Sequence, residues 1–190
     1  MQCPTLVTPE QADARIFDRK LKRANDEGAF LVLTASGRYI NKVQTALLNR
    51  FDLAPVCFDK LFIPLLKQET ENKMVSWNVV LNADAATENS RDWQNLNALV
   101  RICMPKIQQK LSISDKTVLL TGIGLLARYD QLKLLDYLRD RVGVTGSRLE
   151  GLWILIPADE MSGRPMVDGK AIPLLGSGQY ARVPKMWLKR

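Results

Sequence analysis

Short apolar runs alternate with amphipathic stretches along this chain. Three runs are almost wholly apolar, and they cover residues 29–35, 117–121 and 152–156 (AFLVLTA, TVLLT and LWILI). Such runs predict strands that are buried on both faces, as in a parallel sheet. Two weaker strands are predicted over residues 55–59 and 172–175, where Pro173 lacks a ladder donor and favours an edge position.

Between these runs, apolar residues recur every three or four positions and predict helices. The first helix begins with Thr8 as its cap and Gln11 in the place of a capping-box partner, and it ends before Gly28. Its apolar stripe is thin and predicts a place at the edge of the domain: Ile16, Leu21 and Ala24. Further helices are predicted after Gly37, over residues 61–73 with Pro64 in the first turn, and from Ser90 to Leu111 with a kink or break by Pro105 near Met104. Residues 75–81 fit either a strand or a helix, and residues 82–89 are predicted to form a loop.

The stretch Thr117 to Val142 carries the strongest pattern. It predicts a buried strand, a turn at Gly122 and Gly124, and one long amphipathic helix that covers the core. The predicted buried face of that helix is Leu125, Tyr129, Leu132, Leu135, Leu138 and Val142.

These elements together predict an α/β fold with three layers around a mostly parallel sheet. Residues 1–190 are expected to form a single domain, with residues 1–28 as a helical lead-in and residues 176–190 as a basic tail. One form of this architecture is a degenerate P-loop NTPase-like (Rossmann-like) domain that lacks the phosphate-binding motifs. The turn after the first strand, Thr34 to Tyr39, has one glycine and no Lys-Ser/Thr pair, and the strand at 117–121 ends in Leu120-Thr121-Gly122 without an acid.

Composition narrows the chemistry further. The net charge of +7 favours anionic partners, although the basic residues are scattered. The chain has no histidine, which removes the commonest general base and metal ligand, and its three cysteines are too far apart for a zinc site. No catalytic residue, cofactor or metal is therefore expected. No apolar run approaches the roughly 18–20 residues of a membrane span, and no signal peptide precedes the first helix, so a cytoplasmic protein is expected.

Loop carboxylates leave an enzyme open as an alternative. Asp84 and the pair Asp159-Glu160 follow strand-like runs, and parallel sheets bind ligands at the carboxyl ends of their strands. If these acids and a lysine met, they would support a metal-dependent nuclease or a diverged nucleotide hydrolase. A DNA-binding domain is a second alternative, because of the net charge.

Several longer motifs extend across most of the chain. They are Phe30 to Thr34, Asp84 to Ala86, Ser90 to Trp93, Gly124 to Leu132, Gly151 to Pro157, Met166 to Pro173 and Ala181 to Pro184. In these motifs the chain resembles the C-terminal portion of large components of bacteriophage-exclusion (BREX) systems, in particular the serine/threonine kinase of the type 2 systems. No glycine-rich phosphate loop, His-Arg-Asp or Asp-Phe-Gly motif is present, so the resemblance implies an accessory domain without the kinase active site.

The sequence therefore predicts a non-catalytic interaction domain of an anti-phage defence system. Its partners are expected to be other defence-system proteins and, in addition, DNA; neither the partner's identity nor the oligomeric state follows from the sequence. The residues expected to bind a partner are Asp84, Arg91, Arg128, Asp130, Arg182 and Lys185.

Overall fold

The computed structural model describes residues 8–158 and 163–189. The strands are β1 Phe30–Ala35, β2 Leu53–Cys57, β3 Ile113–Ser114, β4 Thr117–Thr121, β5 Arg148–Leu149, β6 Leu152–Pro157, β7 Met166–Val167, β8 Lys170–Ala171 and β9 Tyr180–Arg182. The helices are α1 Pro9–Asp26, α2 Ile40–Arg50, α3 Phe58–Asn72, α4 Trp77–Ala85, α5 Arg91–Leu111, α6 Gly124–Arg128 and α7 Lys133–Arg139. None of these helices has the length and apolar character needed to cross a membrane.

Five parallel strands form the main sheet, in the order β2-β4-β6-β1-β9. The register places Leu152 of β6 between Phe30 of β1 and Val118 of β4. The two short pairs β3–β5 and β7–β8 lie outside this sheet. The predicted α/β fold with a mostly parallel sheet is confirmed, because the three apolar runs form its buried central strands.

Helices cover both faces of the sheet and give it three layers. Alternate residues of each strand point to opposite faces, so Leu31 packs with α1 and α2 while Val32 packs with the helices α3 to α7. The face covered by α3 to α7 contains the larger core cluster of the described residues.

The first helix forms as its sequence predicts. Thr8 accepts a hydrogen bond from the backbone of Gln11, and the side chain of Gln11 accepts one from the backbone of Thr8, which completes the capping box. Gly28 follows the helix with φ +63°, and a Cβ atom there would lie 2.3 Å from the carbonyl oxygen of Glu150. The predicted apolar stripe is wrong at Ile16, which is 56% exposed; Phe17 is buried instead.

The long helix predicted to follow Gly124 is wrong, because α6 ends at Arg128 and α7 begins at Lys133. Asp130 has φ +55°. Its N–H donates to the carbonyl of Ala127, and the N–H of Gln131 donates to the carbonyl of Leu126 at 2.7 Å. This hydrogen-bond pattern is a Schellman motif, in which aspartate takes the left-handed position that glycine usually occupies. Tyr129 before the break and Leu135 after it are both buried, and for this reason the apolar periodicity of the sequence continues through the break.

Three details of the helices between β2 and β4 also differ from the prediction. Helix α3 begins at Phe58, so Pro64 lies inside it and not in its first turn. Residues 77–85 form α4, so Asp84 lies in the last turn of a helix and does not follow a strand. Helix α5 runs through Pro105, so of the two predicted alternatives, a kink or a break, the break is wrong.

The last predicted strand is wrong, and the basic tail contains structure that the sequence analysis did not specify. Residues 172–175 do not form a strand, and β9 pairs with β1 at the edge of the sheet instead. The indole of Trp187 in the following 3-10 helix, Lys185–Lys189, is fully buried, and its ring meets that of Phe17 edge-on at 5.3 Å. The tail is folded because this indole completes the core beneath α1 and α2.

Candidate functional site

Four side chains join helices α4, α5 and α6, and we call them the Asp84 clamp: Asp84, Trp93, Arg128 and Tyr129. The Nε of Arg128 and the hydroxyl of Tyr129 both donate to Oδ1 of Asp84, each at 2.7 Å. The Nη2 of Arg128 also donates to the carbonyl oxygen of Asp84 at 2.7 Å. One carboxylate therefore holds Arg128, the last residue of α6, and Tyr129, the residue that follows it, against the last turn of α4.

Aromatic rings close the clamp from the side of α5. The guanidinium of Arg128 lies 5.4 Å from the ring centre of Trp93, and the rings of Trp93 and Tyr129 are 5.6 Å apart. Burial, and secondarily the hydrogen bond to Asp84, raises the pKa of Tyr129 far above its ordinary value. The phenol therefore stays protonated and remains a donor at every physiological pH.

A second contact fixes the turn that ends α6. The ammonium of Lys170, on β8, donates to the carboxylate of Asp130 and, at 2.8 Å, to the carbonyl oxygen of Ala127. This contact adds a second donor to a carbonyl that already accepts from the N–H of Asp130, and it supports the left-handed conformation of Asp130.

The structure brings three of the six predicted partner-binding residues near one another. Asp84 and Arg128 form a direct pair, and Asp130 follows two residues later. Arg91 is exposed at the start of α5, one turn from the clamp, whereas Arg182 and Lys185 lie at the β9 edge. The contacts of Lys170 with the end of α6 and of Trp93 with Arg128 were not predicted, since both link segments that are distant along the chain.

The carboxyl ends of β2 and β4 meet at Asp59. Gly122, with φ +64°, follows β4, and a Cβ atom there would lie 2.9 Å from Sγ of Cys57 and 3.1 Å from Oδ2 of Asp59. Burial raises the pKa of Asp59, and its Oδ1 is buried without a hydrogen-bond partner in the described part of the chain. The glycine leaves room for the Asp59 carboxyl where these two strands end.

The carboxylates considered for a nuclease are placed differently from one another. Asp84 belongs to the clamp, and Asp159 and Glu160 lie outside the described residues. Within residues 8–158 and 163–189, no three Asp, Glu, Cys or His side chains are arranged to hold a metal ion.

A groove of about 380 Å³ runs between α4 and α5, next to the clamp, and we call it the α4–α5 groove. Its lining is mainly aliphatic: Val75, Val79, Val80, Ala83, Leu96, Ala98, Leu99 and Ile102, with Lys73, Asp92 and Asn95 among them. Val79 and Ile102 are 55% and 41% exposed. Exposed aliphatic side chains gathered in one groove make it a candidate interaction surface.

The chain is 28% identical over 191 residues to the probable kinase PglW of Streptomyces coelicolor. The similarity covers 95% of this chain and 12% of that protein, so the chain spans only a small part of the relative it matches. The similarity supports a domain related to the phage-exclusion systems, in a setting of phage defence. No protein-family model matches the chain, and no solved structure matches it.

Proposed function

We propose that this chain is a non-catalytic interaction domain of a BREX-like anti-phage system, and that it binds a partner protein of that system in the α4–α5 groove. The observation that carries the proposal is the exposed aliphatic lining of this groove, with Val79 and Ile102 on its two walls. Apolar side chains in this arrangement gain free energy when a partner removes them from water.

The Asp84 clamp supports this role because it holds one wall of the groove in place. Helix α4 is nine residues long, too short to be stable by itself in water. The clamp ties the last turn of α4 to α6, while Val80 and Ala83 anchor its inner face in the core. Because the groove is already formed before a partner binds, its residues need not fold on binding, and the entropic cost of association is lower.

The occupant that fits the groove is an amphipathic helix of the partner. Helix α4 is about 13 Å long, which matches two to three turns of a bound helix. The connection between α4 and α5 is short, so Asp92 lies near the carboxyl end of α4 while Lys73 precedes that helix. Neither makes an ion pair within the described residues. The positive N-terminus of a bound helix would lie at Asp92, and its negative C-terminus at Lys73.

The setting of the proposal comes from the relative and from the motifs. The chain corresponds to 12% of a probable kinase, and it contains no histidine and none of the kinase motifs. A domain of this kind suits attachment of a larger defence protein to its partners.

The test is a binding measurement with purified proteins encoded beside the gene of this chain. Val79→Asp places a charge in the groove, and we expect it to weaken binding at least tenfold. Ile16→Asp is the matched control, because Ile16 is 56% exposed on α1, on the opposite face of the sheet. Circular dichroism checks that both variants remain folded.

Phage plating provides the second measurement. Cells that carry the Val79→Asp variant are expected to lose protection, while the Ile16→Asp variant protects like the parent protein. If the two variants bind alike and protect alike, or if none of the neighbouring proteins binds, the groove is not the partner site.

A further inference from the structure

A second cavity, of about 690 Å³, lies on the opposite face of the sheet from the α4–α5 groove. Helix α1, the start of α2 and the 3-10 helix Lys185–Lys189 form its walls. Its size is in the range of small-ligand sites. The side chains that give it chemical character are Glu10, Asp13, Tyr39, Lys42, Lys185 and Lys189.

Two of the walls are cationic. Lys42 comes from α2, and Lys185 and Lys189 come from the 3-10 helix at the end of the chain. All three are exposed, and none forms an ion pair with another residue that the structure describes. Three ammonium groups that have no ion pair among the described residues outnumber the two carboxylates in the lining, so these two walls attract an anionic ligand.

An aromatic ring lies between these cations. Tyr39 lines the cavity and is partly buried, and the guanidinium of Arg38 lies 5.3 Å from its ring centre. A tyrosine beside lysines is the combination with which proteins hold single-stranded nucleic acid, because the ring stacks on a base while the lysines bind phosphates.

The third wall carries the opposite charge. Glu10 and Asp13, on α1, repel phosphate from that side of the cavity. Their oxygens can accept hydrogen bonds from the exocyclic amino groups of bases. The cavity therefore has one side for phosphates and another for bases, which a single strand presents and a phosphate ion or an acidic peptide does not.

We propose that this cavity binds single-stranded nucleic acid, with Lys42, Lys185 and Lys189 at the phosphates and Tyr39 stacked on a base. Arg182, two residues before the lining residue Pro184, is exposed at the end of β9 and is a further cation outside the cavity. A further cation outside the cavity favours a polymer over a mononucleotide. The proposal is independent of partner binding in the α4–α5 groove, which lies on the other face.

The test is the fluorescence anisotropy of a labelled oligo-dC of about 12 nucleotides, whose bases carry the exocyclic amino group, titrated with protein between about 50 and 200 mM salt. Each lysine removed at a phosphate should lower the slope of log affinity against log salt by about 0.7, so Lys42→Ala with Lys185→Ala should lower it by about 1.4. Tyr39→Ala should weaken binding by about fivefold to a hundredfold. Lys110→Ala, an exposed lysine of α5, is the control and should leave both quantities unchanged.

Three results would overturn the proposal. The first is a Lys110→Ala variant that loses as much affinity as the cavity variants, which would show binding by net charge alone. The second is equal or tighter binding of duplex DNA, of a mononucleotide or of a poly-glutamate peptide. The third is absence of oligo-dC binding at the lowest salt by a protein that circular dichroism shows to be folded. Since binding of the partner protein is measured separately, the two proposals can fail independently.

Discussion

Removal of the Asp84 carboxylate is the sharpest test of the clamp. In Asp84→Ala the buried hydroxyl of Tyr129 loses its acceptor, and a buried donor without a partner costs about 1–3 kcal/mol. The lost pair with Arg128 adds no more than about 1 kcal/mol, because the side chains of Asp84 and Arg128 are 35% and 39% exposed. We expect the free energy of unfolding to fall by about 1–4 kcal/mol in total.

A double-mutant cycle separates the clamp from a general effect of the substitution. Tyr129→Phe alone removes one hydrogen bond and should cost about 1 kcal/mol. With that hydroxyl already absent, Asp84→Ala no longer leaves a donor unpaired, so the double variant should be about 1–2 kcal/mol more stable than the sum of the single effects predicts.

Urea unfolding followed by tryptophan fluorescence measures these free energies, since Trp93 lies beside Tyr129. Glu88→Ala is the control, because Glu88 is exposed in the loop after α4 and makes no ion pair that the structure describes. It should change stability by less than about 0.5 kcal/mol. Additive effects within that margin, or an Asp84→Ala variant as stable as the control, would refute the clamp.

Three further predictions concern other parts of the fold. Trp187→Ala should destabilise the protein by about 3–5 kcal/mol, because it empties a fully buried site at the end of the chain; thermal unfolding measures this, and a loss below about 1 kcal/mol would mean that the tail is not part of the core. Burial raises the pKa of Asp59, so this carboxyl loses its proton less readily in the folded than in the unfolded protein. The folded state therefore loses stability as the pH rises from the ordinary pKa of aspartate to the raised pKa of Asp59. The stability of Asp59→Asn relative to the parent should therefore increase between about pH 3 and pH 7, and a difference independent of pH would contradict this. Burial raises the pKa of Cys103 to about 11, so an alkylating reagent near neutral pH should label the partly exposed Cys57 before Cys103; mass spectrometry of the two labelled peptides would show the reverse order if this assignment is wrong.

The central strands and the first helix were readable from the sequence for local reasons. A run such as Leu152–Ile156 is apolar at every position because both faces of its strand are covered. Thr8, Gln11 and Gly28 act within one or two turns of the residues they cap, so their spacing along the chain is enough to predict their roles.

The break at Asp130 was not readable, because the apolar period continues through it. Aspartate replaces the glycine that would mark a left-handed residue, and the support comes from Lys170, 40 residues further along the chain. The Asp84 clamp was hidden in the same way, since Asp84 and Arg128 are 44 residues apart. Asp84 was therefore predicted to lie in a loop after a strand, as a free acid.

By itself the sequence determined which segments form buried strands and capped helices, and hence the parallel α/β sheet, because those properties depend on neighbouring residues. Only the tertiary structure decided that the predicted long helix is two helices, that the basic tail returns to bury Trp187 against Phe17, and that the grooves and cavities lie on opposite faces of the sheet. The physical reason is that periodicity specifies that a side chain is buried, whereas its partner depends on how distant segments pack.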